Sequence, residues 1–257
     1  MKVGIHYNLD KDRDFSKTGL VARKLQENEI EVFFTAEILG CKLIGRDIEM
    51  EELDCLIVLG GDGTILSACK LALEADVAIL GINIGNLGFL TSFEFANIDD
   101  AIEALLGWNF VVEERAVIET AVASEVFYAL NDIVVLRGNE NSPYGHIASY
   151  SAYANDNLID NFISDGIIVS TSTGSTAYSL SAGGPIVEPS VDVIVITPIC
   201  SHSLHNRPIC VNGKSEVVVE VKKAISPCNI LVDGDIVGRL REGEALMVRK
   251  SKKTVKL

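Results

Sequence analysis

The chain has 257 residues, 48% of them hydrophobic and 23% charged. At about 150 residues per domain that is one large domain or two ordinary ones, and it excludes a disordered chain. A formal net charge of −14 leaves no basic stripe for nucleic acid, so an anionic ligand must be held by local amides, helix N-termini or a cation that travels with it.

Strand and helix alternate through the first hundred residues. Residues 3–8 read as a strand, and Ser16 as the cap of a helix with Leu20, Val21 and Leu25 on one face. Residues 30–34 form a second strand. The run 53–59 is almost unbroken in apolar character and ends in glycine, as a strand buried on both faces does. A helix over 64–74 follows, then a buried strand over 77–83 that ends in Gly85 and Gly88. Ile98, Ile102, Leu105 and Leu106 mark an amphipathic helix. This order predicts a parallel, doubly wound sheet.

Beyond about residue 110 the pattern changes to strand after strand, at 115–123, 125–137, 147–154, 166–171, 191–199, 207–211, 216–222, 229–233, 235–240 and 244–249. One helix interrupts them, near residues 175–182. The expected fold class is therefore α/β plus β: an α/β domain over 1–108 and an all-β domain of two packed sheets over 109–257. The last residues are free to pack back on the first domain. A site is expected in the cleft between the domains. No apolar run reaches membrane-spanning length, and the N-terminus turns polar too soon for a signal peptide. Six scattered cysteines with no C-x-x-C pair read as reduced, buried thiols of a cytoplasmic protein, and the four histidines lack zinc-site spacing.

Three constellations carry chemistry. Gly60-Gly61-Asp62-Gly63-Thr64 lies where a parallel strand hands over to a helix, the usual ligand end of an α/β sheet. Its glycines suit close backbone approach and positive φ, and the helix amides make a phosphate cradle. A carboxylate in such a cradle repels phosphate unless it takes a proton from a reacting hydroxyl or helps hold Mg²⁺. Alternatively, Asp62 simply caps the helix. The turn is neither a Walker loop nor a G-x-G-x-x-G fingerprint. The second constellation runs from Ser164-Asp165-Gly166 through the hydroxyl-rich segment 170–179. Its hydroxyls and helix-start amides suit a ribose or phosphates, and Tyr178 offers a face and an OH. Ordinary loop capping is the alternative. The third is Asn131-Asp132, a polar pair interrupting an apolar run; a turn before a strand explains it equally well. Asp233-Gly234 is a two-residue hairpin turn, and His202 and His205 read as loop histidines.

In order along the chain, these residues together with Gly88-Phe89-Leu90, Gly183-Gly184-Pro185, His202-Ser203-Leu204 and Arg207-Pro208 resemble the NAD kinase family over nearly the whole length. The resemblance implies a Rossmann-like N-terminal domain and a C-terminal β-sandwich. It implies transfer of the γ-phosphoryl group of ATP, or of polyphosphate, to the 2′-hydroxyl of the adenosine ribose of NAD. Asp62 is then the general base, and Gly61 and Gly63 line the phosphate path. Phe89 and Leu90 pack near the adenine, and Asn131 and Asp132 contact the adenosine part. Asp165, Thr173, Thr176, Ala177, Tyr178, Ser181 and, more weakly, Asp233 line the NAD site. Side chains form no metal site; Mg²⁺ or another divalent cation comes with the nucleotide phosphates. A homodimer or homotetramer is expected, with no nucleic acid or membrane partner.

The chain departs from the family pattern at Ser172 and Ser201, where proline is usual, and at Asp132, where glutamate is commoner. Many relatives continue past the position of Leu257 into a helix, so that closure is expected to be missing or supplied by a neighbouring subunit. The alternatives are a lipid or sugar-phosphate kinase sharing the glycine-aspartate-glycine turn, and a nucleotide sensor without catalysis.

Overall fold

Every residue of the apolar run Cys55–Gly60 is buried, and the run is the central strand of a five-stranded sheet. The computed structural model describes residues 1–36, 41–85, 88–138, 147–203 and 205–257. They divide into two compact units: Met1–Glu114 with Val255–Leu257, and Arg115–Thr254.

The first unit runs β1 (Lys2–Tyr7), α1 (Ser16–Glu27), β2 (Glu31–Phe34), β3 (Cys55–Gly60), α2 (Asp62–Ala75), β4 (Ile79–Asn83), β5 (Phe93–Glu94) and α3 (Ile98–Leu106). The strands lie in the order β2-β1-β3-β4-β5, each pair parallel. The direction of winding reverses between β1 and β3. At such a switch point the loops at the carboxyl ends of the strands diverge and open a crevice. Val21 and Leu25 of α1 and Ile98, Ile102 and Leu105 of α3 share a core with Val3, Ile5, Ile57 and Ile82, each such side chain adding roughly 1.5–3 kcal/mol when buried.

Ser16 is not the cap of α1. It is the first helical residue, and Phe15 holds the cap position at φ 57° with no side-chain bond. The buried carboxylate of Asp12 satisfies the free amides instead, accepting N–H of Lys17 at 3.1 Å and of Thr18 at 2.8 Å. At the other end of the chain, Leu257 exchanges two backbone hydrogen bonds of 2.9 Å with Glu113, and Lys256 Nζ donates to Asp76 at 2.6 Å.

The second unit is a β-sandwich. Its strands are β6 (Glu114–Val122), β7 (Glu125–Ala129), β8 (Asp132–Leu136), β9 (Ala148–Ala154), β10 (Asn157–Ser164), β11 (Gly166–Ser170), β12 (Val193–Ile199), β13 (Ile209–Asn212), β14 (Val217–Lys223), β15 (Cys228–Val232), β16 (Asp235–Leu240) and β17 (Ala245–Lys256), with the single-turn helix α4 (Tyr178–Ser181) after β11. Two six-stranded sheets, β10-β9-β14-β17-β6-β7 and β13-β12-β11-β8-β15-β16, face each other. Ile118, Tyr150, Phe162, Val219 and Val248 from the first interlock with Ile133, Val135, Ile167, Ile196 and Ile230 from the second. The far face of the second sheet is covered as well: Val134, Ile168 and Ile199 pack with Leu231 and Ala182. This is why β11 is buried throughout.

The second unit differs from expectation in three places. The run 125–137 breaks at Leu130-Asn131 into β7 and β8. β10 was not expected, because its edge position lets polar residues occupy half of it, with only Phe162 and Ser164 buried. β17 continues to Lys256, its charged residues facing out while Val248, Ser251 and Val255 face in. The six thiols are free, but Cys200 and Cys210 are exposed rather than buried. Cys210 lies on the edge strand β13, where one side of the backbone has no neighbour.

Candidate functional site

In the first unit the glycine turn joins β3 to α2, and Gly61 is the N-cap residue. None of Gly60, Gly61 and Gly63 has positive φ; Gly61 is extended at φ −126°. Their use is space. A β-carbon on Gly63 would meet nothing within 4 Å, so the backbone there is open to a ligand. Thr64 and Ile65 turn their N–H groups back to the carbonyl of Gly61, at 2.9 and 3.1 Å. Among the described residues the amides of Asp62 and Gly63 have no acceptor, so the end of this 14-residue helix offers two donors and its positive dipole end.

Asp62 does not cap the helix. It is the first helical residue, and its carboxylate reaches across to the loop before β5, accepting N–H of Phe89 at 2.9 Å and of Leu90 at 3.1 Å. Gly88 makes this possible, since a β-carbon there would come within 2.1 Å of Asp62 Oδ1. The carboxylate is thus fixed in orientation and partly exposed, with lone pairs left over to accept a proton. Leu90 is buried, whereas the ring of Phe89 is 69% exposed. Lys11, unremarked in the sequence, belongs here too: a β-carbon on Gly61 would lie 3.0 Å from its Nζ, and one on Gly85 2.8 Å.

In the second unit Asn131 lies in the turn before β8 and Asp132 is that strand's first residue. Asp233 holds them. Its carboxylate accepts the N–H groups of Leu130, Asn131 and Asp132 at 2.9, 2.9 and 3.0 Å, and its own N–H donates to the carbonyl of Asp132 at 3.0 Å. The hairpin turn is as expected, with Asp233 and Gly234 at φ 46° and 92°. The anchoring role was hidden, because it joins residues 101 to 103 positions apart.

Asp132 is only 5% exposed, and burial, with the charge of Asp233 beside it, pushes its carboxyl up to about 7. The folded chain therefore keeps a proton that the unfolded chain releases near pH 4. Its stabilisation is complete below about pH 4 and is lost as pH rises through 7. Asp132→Asn stays neutral, so its melting temperature relative to wild type should rise between about pH 5 and 8. A difference that does not change with pH in thermal melts over that range would refute this.

The hydroxyl-rich segment is mostly occupied with itself. Thr171 Oγ1 donates to the carbonyl of Leu130 at 2.6 Å and accepts from the N–H of Gly174 at 2.9 Å. Ser172 Oγ donates to the carbonyl of Val191, Ser175 Oγ accepts from the N–H of Val187 at 3.0 Å, and Ser179 Oγ bonds Thr197 Oγ1 at 2.9 Å. Gly174 lies so close to Asn131 that a β-carbon would fall 2.0 Å from its carbonyl oxygen. These contacts brace the segment against the Asn131-Asp132 turn, and the helix that follows is one turn long, too short for an anion site. Ordinary loop capping thus accounts for Thr171, Ser172, Ser175 and Ser179.

The remaining expected residues fall as follows. Thr173 is buried and receives Arg115 Nη1 at 3.4 Å; Thr176 and Ala177 are half-buried. Tyr178 is exposed at its edge, and burial, then Cys200, Asp132 and Asp165, push its phenol up. Asp165 Oδ1 accepts from Arg137 Nε at 2.7 Å. Ser181 is exposed at the end of α4, and its side chain bonds to none of these. His202 and His205 are exposed; Leu204 lies outside the described residues.

A family model described as the ATP-NAD kinase N-terminal domain matches residues 14–109, and one described as the ATP-NAD kinase C-terminal domain matches residues 130–257. The chain belongs to the NAD kinase family. It is 38% identical over 260 residues to the NAD kinase of Caldanaerobacter subterraneus subsp. tengcongensis, covering 97% of this chain and 90% of that protein. Against the NAD kinase of Natranaerobius thermophilus it is 34% identical over 265 residues, covering 99% and 91%. Among solved structures it superposes on the yeast NADH kinase complexed with NADH at a TM-score of 0.82 and 26% identity, covering 100% of this chain and 82% of that one. The fold is shared with an NAD kinase from Archaeoglobus fulgidus at a TM-score of 0.78 and 24% identity, covering 100% and 93%.

In this member of the NAD kinase family the serine at position 172 has a plain reading. Its φ of −59° is the value a proline ring imposes. The hydroxyl bond to Val191 ties the loop down where a ring would stiffen it.

Proposed function

We propose that this chain transfers the γ-phosphoryl group of ATP to the 2′-hydroxyl of the adenosine ribose of NAD, giving NADP and ADP. The observation that carries this reading is the carboxylate of Asp62, held by two backbone N–H groups beside the open helix end. An acid placed there is unfavourable for phosphate binding alone. It becomes useful when a hydroxyl loses its proton as its oxygen bonds to phosphorus and the bond to ADP breaks. General bases of this kind contribute roughly 10²- to 10⁴-fold. The free amides of Asp62 and Gly63 face charge that develops on the transferring group. Gly61 and Gly63 leave room for it.

In the second unit the assigned NAD contacts are Asn131, Asp132, Asp165, Thr173, Thr176, Ala177, Tyr178 and Ser181, with Asp233 anchoring the first two. Phe89 offers an exposed ring face for a base. Among the described residues no three of His, Cys, Asp and Glu converge. We assign a divalent cation, Mg²⁺ by preference, to the donor phosphates, whose charge it neutralises. We assign the protein to the cytoplasm as a homodimer or homotetramer. No helix of the described residues is long and apolar enough to cross a membrane.

The test is a coupled assay with an NADP-specific dehydrogenase, pairing NAD or NADH with ATP or polyphosphate. ATP- or polyphosphate-dependent NADP formation is expected. NAD binding without turnover would favour a sensor, and phosphorylation of a lipid or sugar phosphate in place of NAD would overturn the reading.

A further inference from the structure

We propose that Lys11 is a binding residue for the phosphate chain of the donor, an inference that rests on the kinase reading above. The argument starts from charge. A protein of net charge −14 must compensate a polyanionic donor locally, and the two free amides at the start of α2 are dipoles rather than full charges. One cation is already in place. The ammonium of Lys11 lies against Gly61 of the turn after β3 and against Gly85 beyond β4. These are carboxyl-terminal strand ends beside the switch point between β1 and β3.

The loop carrying Lys11 is tied to the same turn. Asn8 Oδ1 accepts the N–H groups of Asp10 and Lys11, at 3.0 and 3.1 Å, and Asn8 Nδ2 donates to Thr64 Oγ1 at 3.1 Å, in the first turn of α2. Asn8 thus fixes the lysine's loop to the residues that flank Asp62. The neighbouring charges are spent elsewhere. Asp12 is committed to the start of α1, and Arg13 faces Asp10 at 3.9 Å. Lys17 gives its ammonium to the carbonyl of Ile84 and the ring of Phe95. Among the described residues Lys11 has no ion-pair partner. A flexible point charge over open glycine backbone, next to unpaired helix amides, is an arrangement that recognises phosphate.

The chemistry is the same for a nucleoside triphosphate and an inorganic polyphosphate, so both are tested as donors. Full-length wild type, Lys11→Met and Lys11→Arg are compared with NAD as acceptor. For whichever donor wild type uses, Lys11→Met should raise the donor KM about tenfold or more, with the KM for NAD changed less than about twofold. Lys11→Arg should remain within about threefold of wild type, and ADP should lose more affinity than AMP as a competitive inhibitor. Because the ammonium of Lys11 bonds no other side chain among the described residues, and its backbone bond to Asn8 is kept in the variant, thermal melts of wild type and Lys11→Met should superimpose. An active wild type with an unchanged donor KM in Lys11→Met overturns the assignment. So does an equal loss for AMP and ADP, or a loss not rescued by arginine. A wild type that cannot phosphorylate NAD with either donor overturns the kinase reading instead, and the two failures are told apart by that control.

Discussion

Asp62→Asn should lower kcat by about 10²- to 10⁴-fold, with the KM for NAD changed by less than about threefold. The substitution keeps the shape of the side chain and one carbonyl oxygen but removes the ability to accept a proton. Asp62 also has a structural role, since it latches the loop at Phe89 and Leu90. The amide can satisfy only one of those two N–H groups, at a loss of about 1–3 kcal/mol. The two roles separate on measurement. A latch that fails lowers the melting temperature and raises KM; a missing base lowers kcat in a protein that still melts cooperatively and still binds NAD. A variant that retains more than about a tenth of wild-type kcat would reduce Asp62 to the latch.

The second large effect is expected at Asp233, far from Asp62 in sequence. Asp233→Ala leaves three N–H groups, those of Leu130, Asn131 and Asp132, without their acceptor. At about 1 kcal/mol or more for each, the loss is on the order of 3 kcal/mol, or roughly 6–12 °C in melting temperature for a protein of this size. The turn that presents Asn131 and Asp132 should loosen as well, and the KM for NAD should rise about tenfold or more. Asp233→Asn should fall between the two. It keeps one acceptor and tolerates the left-handed backbone at φ 46°. A melting temperature within about 2 °C of wild type in Asp233→Ala would show that other bonds hold the turn.

Much of this architecture could be read from residue patterns, because those patterns are local. The buried run at 55–60 and the glycines after it announce a strand, a turn and a helix within a dozen residues, and that is how they fold. The change from alternating elements to consecutive strands likewise marks the sandwich. What escaped depends on contacts distant in sequence. Asp233 explains itself completely as a hairpin turn, so nothing nearby signals its three bonds to residues 130–132. Lys11 sits in an ordinary loop until the parallel sheet brings β1 beside β3.

Residue type alone leaves open what a hydroxyl-rich or glycine-rich segment does. The hydroxyls of Thr171, Ser172, Ser175 and Ser179 look like ligand contacts in a list of residues, but the backbone around them needs partners and takes them. The glycines of the turn were expected to supply positive φ, yet none does; Gly63 contributes open space, and Gly88 in the facing loop gives clearance for Asp62.

The central claim is that phosphate is moved to one hydroxyl of NAD with Asp62 as the base, and phosphorus NMR of the reaction mixture tests it most directly. With wild-type protein, NAD, a divalent cation and the donor, the account predicts a new phosphomonoester on the 2′-oxygen of the adenosine ribose. With ATP as donor it forms in equal amount to the ADP released, and with Asp62→Asn it is almost absent. A phosphate at any other position, or donor hydrolysis to free phosphate with NAD left unmodified, would contradict it.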